Sequence, residues 1–517
     1  MVLATANRAL ARVHNHSWSA RIAMFLSGAI YPLGFAPFEF WPIAIVAVLC
    51  LILALLRITI LSAFQLAYCW GLGAFSIGAS WVYVSIHEFG FVPVIGAAAL
   101  TVIFVAFLAL FKGFFGYLFF RLNWLTRGKV LIVVLPLCWL VSEALQSVVF
   151  NGFPWLLLGY SQIDSPFGGV ATWLGVYGIS WVLILLLSAL AMWIISQRRQ
   201  HLVLIASVIC MLVLINVHNH LGLNNGTALS ANSKTVKVAL VQPNIAQDKK
   251  WDRKYFAQII DVLFHETSTL WGADFIVWPE GAIPAYKHQV DDILFELTRL
   301  AKENQSNLIL GVPEYQAETQ QSYVALVGIG ETEQSYHKQV LVPFGEYVPL
   351  EKWLRGLIKF FDLPMSGFTP ATHAQQPMQY SSATIIPAIC YEIAYPKIIR
   401  DLSVKADPNK PQIILTVSND AWFGDSFGPY QHMQMARMRS LELGLPLIRS
   451  TNDGITAVVD IYGKVKKLLP RYQQDSLQYD LVLQNRMTVY RYVGWSGLLI
   501  IILVSLSIIA WTVLNKK

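Results

Sequence analysis

The sequence predicts a multi-span α-helical membrane domain joined to an external α/β domain. Three observations carry that prediction. Hydrophobic residues make up 55% of the 517 residues and charged residues only 13%, outside the range of ordinary globular chains. Apolar runs crowd the first 217 positions and return after 491. Between them, from about His218 to Arg491, the composition changes sharply over a segment long enough to bury a core of its own.

The apolar runs are Ile22 to Phe38, Trp41 to Leu56, Ile60 to Val84, Val92 to Phe120, Val130 to Val149, Val170 to Ile195, Leu202 to Val217 and Tyr492 to Leu514. Each approaches the roughly 20 residues that a membrane helix needs. Pro32, Pro37 and Pro42 interrupt the first two, so six or seven spans stay open beside eight. Arg8, Arg12 and Arg21 precede the first run without a convincing cleavage site after it, so it reads as a retained span. The expected organisation is a transmembrane domain over 1–217 with about seven helices, an external domain over 218–491 and a closing helix over 492–517.

A formal charge of +7 admits a nucleic-acid partner, but the Lys and Arg residues gather beside the apolar runs. Arg57, Arg121, Arg127, Lys129, Arg198, Arg199, Lys516 and Lys517 all fall on the side already marked by Arg8, Arg12 and Arg21, whereas Ser85 to Phe91 and Asn151 to Gly169 carry no Lys or Arg. The positive-inside rule therefore predicts cytoplasmic termini, an external 218–491 segment and no nucleic-acid partner.

Within that segment, apolar runs of strand length occur at Val236–Val241, Phe275–Trp278, Leu308–Val312, Tyr323–Val327, Ala383–Cys390, Ile413–Val417 and Ala457–Ile461. Helical patterns at Tyr255–Trp271 and Val290–Glu303 separate some of them, which predicts α/β structure with a covered sheet. The segment shows no internal repeat and no low-complexity linker, so a flexible stalk is not expected.

Of five cysteines, Cys50, Cys69, Cys138 and Cys210 fall in the apolar runs, where they read as small hydrophobes. Cys390 stands apart, closing a strand-length run in the external segment. A lone thiol where a strand stops is a candidate nucleophile. Two further motifs place polar groups near strand ends: Phe275-Ile-Val-Trp-Pro-Glu280-Gly, and Tyr336-His-Lys338-Gln-Val-Leu-Val-Pro-Phe-Gly-Glu346. A thiol near its ordinary pKa of about 8.5 needs a base or a cation to raise its reactivity. Glu280 suits the base, and Lys338, with a backbone N–H after the strand turn, suits an oxyanion partner. No His or Cys cluster has metal-ligand spacing, and no phosphate-cradling glycine loop follows a strand.

Glutamate, lysine and cysteine in that order resemble the nitrilase, or carbon-nitrogen hydrolase, superfamily. Val417-Ser-Asn-Asp-Ala-Trp422-Phe-Gly, Gln431-His-Met-Gln-Met-Ala-Arg437, Ser450-Thr-Asn-Asp-Gly-Ile-Thr456, Gly152-Phe-Pro-Trp-Leu and Val241-Gln-Pro-Asn are similar to its apolipoprotein N-acyltransferase branch. The resemblance spans essentially the whole chain. It implies an αββα sandwich inserted before the last span, a Glu280, Lys338, Cys390 triad, and a bacterial inner-membrane location with the catalytic domain periplasmic.

It further implies acyl transfer from a phospholipid, phosphatidylethanolamine foremost, through a cysteine thioester to the α-amine of a diacylglyceryl-cysteine apolipoprotein, with no cofactor and no metal. Glu346 is implied as a second active-site carboxylate. Glu392 supports the site or forms a structural ion pair, and Tyr391 lines an acyl pocket or packs. Trp251, Trp422, Trp155 and Tyr160 shape a lipid entrance or anchor at the membrane edge, and His432 reads as structural. Trp353 to Phe368, apolar with two cations, suits a segment dipping into the interface. Nothing demands more than a monomer. From the residues alone, a membrane-tethered amidase and a transporter with a ligand-recognising external domain remain alternatives.

Overall fold

The computed structural model describes residues 17–56, 59–221, 234–343, 345–347, 367–484 and 486–515. Arg8, Arg12, Arg57, Lys516 and Lys517 lie outside them, as does all of the Trp353 to Phe368 segment except its last two residues. The chain divides into two compact units, one holding residues 1–83, 94–219 and 495–517, the other 84–93 and 220–494.

Among the described residues the regular structure of the first unit is helical: α1 (Ser17–Ile30), α2 (Trp41–Leu55), α3 (Ile60–Gly78), α4 (Val94–Leu125), α5 (Leu131–Val148), α6 (Ala171–Ser196), α7 (Arg199–His220) and a closing helix, Trp495–Leu514. Five helices among the described residues are long and apolar enough to cross a membrane, beginning at Val94, Leu131, Gly168, Arg199 and Trp495. A sixth joins them if Leu61–Gly78 and Val82–Phe89, bent by 60° at the break, count as one span.

The first two apolar runs fall short. The helix over the first ends at Ile30, and Tyr31–Gly34, with Pro32 inside, continues as a 3₁₀ turn. At 15 residues, α2 is about 22 Å long against the ~30 Å of a bilayer core. The third run does not continue straight to Val84 either, because it breaks after Gly78. Four cysteines sit in α2, α3, α5 and α7, and all five are free thiols. Only Cys138 of those four is buried; Cys50 and Cys210 are exposed.

The second unit is built on two six-stranded sheets. The first has the order β14 (Asp475–Val482), β1 (Thr235–Gln242), β2 (Phe275–Val277), β3 (Asn307–Gly311), β6 (Ala325–Ile329), β7 (Gln334–His337). The second has the order β13 (Val465–Leu468), β12 (Ala457–Val459), β11 (Leu447–Thr451), β10 (Gln412–Ser418), β9 (Thr384–Ile389), β8 (Met378–Gln379). A separate hairpin pairs β4 (Glu314–Gln316) with β5 (Gln321–Tyr323).

Strands β1, β2 and β3 are mutually parallel, as are β9, β10 and β11, with antiparallel strands at the flanks. Parallel strands covered on both faces read as continuous apolar runs, which is why the sequence shows them plainly. Val236, Val238 and Leu240 of β1 join Phe275, Val277, Ile309, Ile385, Leu415 and Leu447 in one core between the sheets. The alternate residues Ala239, Val241, Ile276 and Leu308 face a second core under α8 (Phe256–Thr267) and α9 (Asp291–Glu303). The period-2 alternation of a strand thus feeds two cores.

On the far side of the second sheet, α10 (Pro396–Lys405) packs on β9 and α11 (Gly428–Leu443) on β11. This is the expected αββα sandwich. Ser450 Oγ on β11 donates its one hydrogen to Val241 O at 2.9 Å, with Val277 O also 3.3 Å away, pinning one sheet to the other. The expected strand Tyr323–Val327 is instead divided at Val324 between β5 and β6. Lys338 directly follows β7, and the apolar run after it is not a strand.

Candidate active site

Each of the three motif residues leaves the end of a strand of this sandwich. Glu280 lies three residues past β2 in a turn that Gly281 completes at φ +55°. The turn rests against β3 so closely that a Cβ at Gly311 would fall 2.5 Å from Gly281 N and from Pro279 O. Lys338 follows β7, its N–H bonded to Val324 O at 2.9 Å. Cys390 follows β9 at φ +50°, a left-handed conformation costing a non-glycine residue about 1–3 kcal/mol, held only where its surroundings fix it.

The structure brings Glu280, Lys338 and Glu346 into direct contact. Lys338 is wholly buried, and its Nζ donates to Glu346 Oε1 at 2.6 Å and Glu280 Oε1 at 3.1 Å. Burial alone would pull the ammonium toward neutrality, but the two carboxylates outweigh it and hold Lys338 firmly protonated, with Cys390 close enough to add to their effect. It is therefore a fixed cation rather than a base. Burial raises the Glu346 carboxyl and neighbouring Glu280 adds to that, against the pull of Lys338 and the Val342 N–H, which bonds Oε2 at 2.8 Å. Glu280 Oε2 accepts the Asn419 N–H at 3.0 Å. Burial, then Glu280, pushes the half-buried Cys390 thiol well above its ordinary value, with Lys338 opposing. The resting sulfur is a neutral thiol.

Glu392 is a hydrogen-bond hub rather than the ion pair that was one expectation. Its carboxylate accepts from Ile389 N at 2.8 Å, Gln339 N at 2.6 Å and the Tyr336 hydroxyl at 3.1 Å. It ties the end of β7, and so Lys338, to the end of β9, and so Cys390. Burial pushes it up to about 7, against those N–H groups. Tyr391 is buried and packs edge-on against Tyr395, ring centroids 5.3 Å apart. Trp251 is half-buried beside the Glu280 turn, 3.7 Å from a Cβ built at Gly281. Trp422 is half-buried, its carbonyl accepting the Ser85 hydroxyl at 2.7 Å and its ring set against Phe89. Trp155 and Tyr160 belong to the interior of the helical unit, both about 1% exposed, and do not sit at an exposed edge.

Sequence reasoning missed the groups behind the thiol as chemistry. Ser418, Asp420 and Arg449 are fully buried and His432 nearly so, gathered from β10, the turn after it, β11 and α11. Lys250 is also buried, its Nζ bonded to Glu280 O at 2.9 Å. The available signal was Arg449, a charge directly after the apolar Leu445–Ile448 stretch, because buried charges demand partners. Among the described residues no group of three His, Cys, Asp or Glu side chains is placed to hold a metal ion.

The sequence profile described as the apolipoprotein N-acyltransferase N-terminal domain matches residues 27–190, and the carbon-nitrogen hydrolase profile matches residues 237–491. The apolipoprotein N-acyltransferase of Vibrio parahaemolyticus is 38% identical, covering 97% of this chain and 99% of its own. That of Vibrio cholerae is 37% identical over 94% of this chain and 97% of its own. Among solved structures, an amidase from Nesterenkonia sp. is similar over 53% of this chain and 98% of its own at 18% identity, with a TM-score of 0.37, too low to carry an assignment. The near full-length identity to the two Vibrio enzymes, with both profiles matched in order along the chain, makes this protein a member of the apolipoprotein N-acyltransferase family.

Proposed function

We propose that this protein N-acylates lipoproteins in two half-reactions at one site, with Cys390 as nucleophile, Glu280 as proton carrier and Lys338 as oxyanion partner. The observation that carries this reading is the wholly buried Lys338 held at 3.1 Å by Glu280 and at 2.6 Å by Glu346 beside a strand-end cysteine. A preorganised cation of that kind stabilises negative charge on a carbonyl oxygen without reorganising.

In the first half, Sγ attacks an ester carbonyl of a phospholipid while Glu280 takes the thiol proton. The ester C–O bond breaks, the glycerol oxygen takes the proton back, and a lysophospholipid leaves. In the second half, the α-amine of a diacylglyceryl-cysteine terminus attacks the thioester, Glu280 takes the amine proton, and the C–S bond breaks to restore the thiol. The steps balance without a redox partner. The donor is phosphatidylethanolamine. Glu346 anchors Lys338, while Tyr391 and Glu392 support the turn that presents Cys390. Trp251, beside the Glu280 turn, and Trp422 are substrate-side candidates.

The charge distribution supports cytoplasmic termini in the inner membrane and a periplasmic 218–491 domain. The test is transfer of labelled acyl chain from phosphatidylethanolamine to a diacylglyceryl lipopeptide by wild-type protein and Cys390→Ala in proteoliposomes. Loss of product with normal insertion supports the reading; retained transfer removes Cys390 from the chemistry. Release of free fatty acid without an acylated lipopeptide would make the protein a hydrolase.

A further inference from the structure

Cys390 is held at two points by one buried network that the triad does not include. Asp420 Oδ2 accepts Arg449 Nη2 at 2.8 Å, and Arg449 Nη2 also faces His432 Nδ1 at 3.0 Å. The other ring nitrogen, Nε2, lies 3.1 Å from Cys390 O. A carbonyl only accepts, so Nε2 carries a hydrogen; Nδ1 has Arg449 Nη2 at 3.0 Å and the Asp420 Oδ1 acceptor at 3.2 Å, and the nearer arginine N–H assigns it the acceptor role. Burial and then Arg449 hold His432 below its ordinary value, consistent with that neutral tautomer.

The second arm reaches the sulfur. Ser418 Oγ is 2.5 Å from Asp420 Oδ1 and 3.3 Å from Cys390 Sγ. A hydroxyl owns one hydrogen. Burial works against the Asp420 charge, but the Arg449 guanidinium at 2.8 Å more than offsets it, so the carboxyl sits well below its usual range and accepts from its neighbours. The serine hydrogen is therefore committed to Asp420.

We propose that Ser418 is a further catalytic residue, whose oxygen accepts the Cys390 thiol hydrogen and fixes the direction of Sγ, with Asp420, Arg449 and His432 as positioning residues behind it. The proposal rests on Cys390 being the nucleophile. During attack the S–H hydrogen leaves Ser418 for Glu280, breaking the S–H bond and forming an O–H bond. Before a lipid arrives, a hydrogen bond to the neutral thiol disfavours its ionisation. The charged and titratable groups around Sγ are Glu280, Lys338, Glu346, Asp420, Lys250 and the Tyr391 phenol, with neutral His432 beneath the carbonyl. All of them persist when Ser418 alone is changed.

The test is the pH dependence of iodoacetamide alkylation mapped to the Cys390 peptide in full-length protein, for wild type, Ser418→Ala and Ser418→Thr, beside acyl transfer. Ser418→Ala lowers the midpoint of alkylation by at least about 0.5 pH units, through loss of the bond to the neutral thiol. It also cuts transfer by about tenfold or more as the sulfur loses its direction. Ser418→Thr restores both. An unchanged or raised midpoint in Ser418→Ala overturns the proposal, even if activity falls, because packing damage alone does not lower it. A threonine that leaves the midpoint where alanine put it also overturns it. If Cys390→Ala still transfers acyl chains, the functional reading fails first, and the alkylation midpoints separately report the hydrogen bond.

Discussion

Glu346 Oε1 lies 2.6 Å from Lys338 Nζ, closer than Glu280 Oε1 at 3.1 Å. The two carboxylates thus divide their work: Glu346 is the tighter anchor of the ammonium, and Glu280 keeps Oε2 on the Asn419 N–H at the end of β10. Glu346→Gln retains an oxygen for Lys338 but removes a charge, so Glu280 becomes the sole counterion. The expected result is a fall in transfer of about 10²-fold, the scale of losing part of a preorganised charge site. Transfer assays at saturating donor check it, and near-wild-type rates would return Glu346 to a structural role.

Glu280→Gln removes the proton carrier while Glu346 still holds Lys338. Transfer should fall about 10²–10⁴-fold, the usual worth of a positioned general base. Thermal unfolding of the same variant should stay within a few degrees of wild type, since the buried ammonium keeps its tighter partner. A large stability loss with modest loss of rate would reverse the assignment.

How far the sequence spoke depended on what each element buries. Strands β1, β2, β3, β9 and β10 were readable because both faces are apolar. Helix α11 was not: it is buried almost all round, and carries His432, Arg439 and Glu442 inside, so it shows neither an apolar stripe nor a hydrophobic core pattern. Arg439 and Glu442 form an ion pair at 3.1 Å one turn apart on the helix, so the charges that break the apolar pattern lie within it. Strand β7, Gln334–His337, is polar in its first two positions, so it was not among the expected strands although Lys338 directly follows it. The triad was legible because glutamate, lysine and cysteine each punctuate a turn. Ser418 and Asp420 were visible only as parts of a motif and Arg449 was not singled out, since their meaning depends on the adjacency of β10 and β11.

Glu392→Gln leaves one carbonyl oxygen where a carboxylate served four donors, the Ile389, Gln339 and Val340 N–H groups and the Tyr336 hydroxyl. Orphaning at least one buried N–H should cost about 1–3 kcal/mol, and transfer should drop because the ends of β7 and β9 separate. The pH dependence has a definite sign. Burial raises the folded-state value from 4.5 to about 7, so the stability this group contributes is complete below the unfolded value and is lost as pH rises toward 7. The gap between wild type and Glu392→Gln should therefore narrow from pH 5 to pH 7.5. Denaturation midpoints in detergent at both values measure it, and a widening gap would be inconsistent with a raised carboxyl.

Gly311→Ala places a methyl 2.5 Å from the backbone of the Glu280 turn, where no flexible side chain can yield. Overpacking of this kind costs about 1–3 kcal/mol, and the displaced turn should reduce transfer more than binding of donor. A kinetic comparison with wild type tests this, the expected signature being a lower kcat with KM little changed.

The central claim is that one sulfur carries the acyl chain between donor and acceptor. Purified full-length protein incubated with phosphatidylethanolamine of defined chains, without lipopeptide, should gain the mass of one fatty acyl group, mapped by peptide mass spectrometry to Cys390. Addition of a diacylglyceryl lipopeptide should then discharge it with stoichiometric appearance of N-acylated product. An acyl group found on another residue, or transfer proceeding with Cys390 never acylated, would contradict the account.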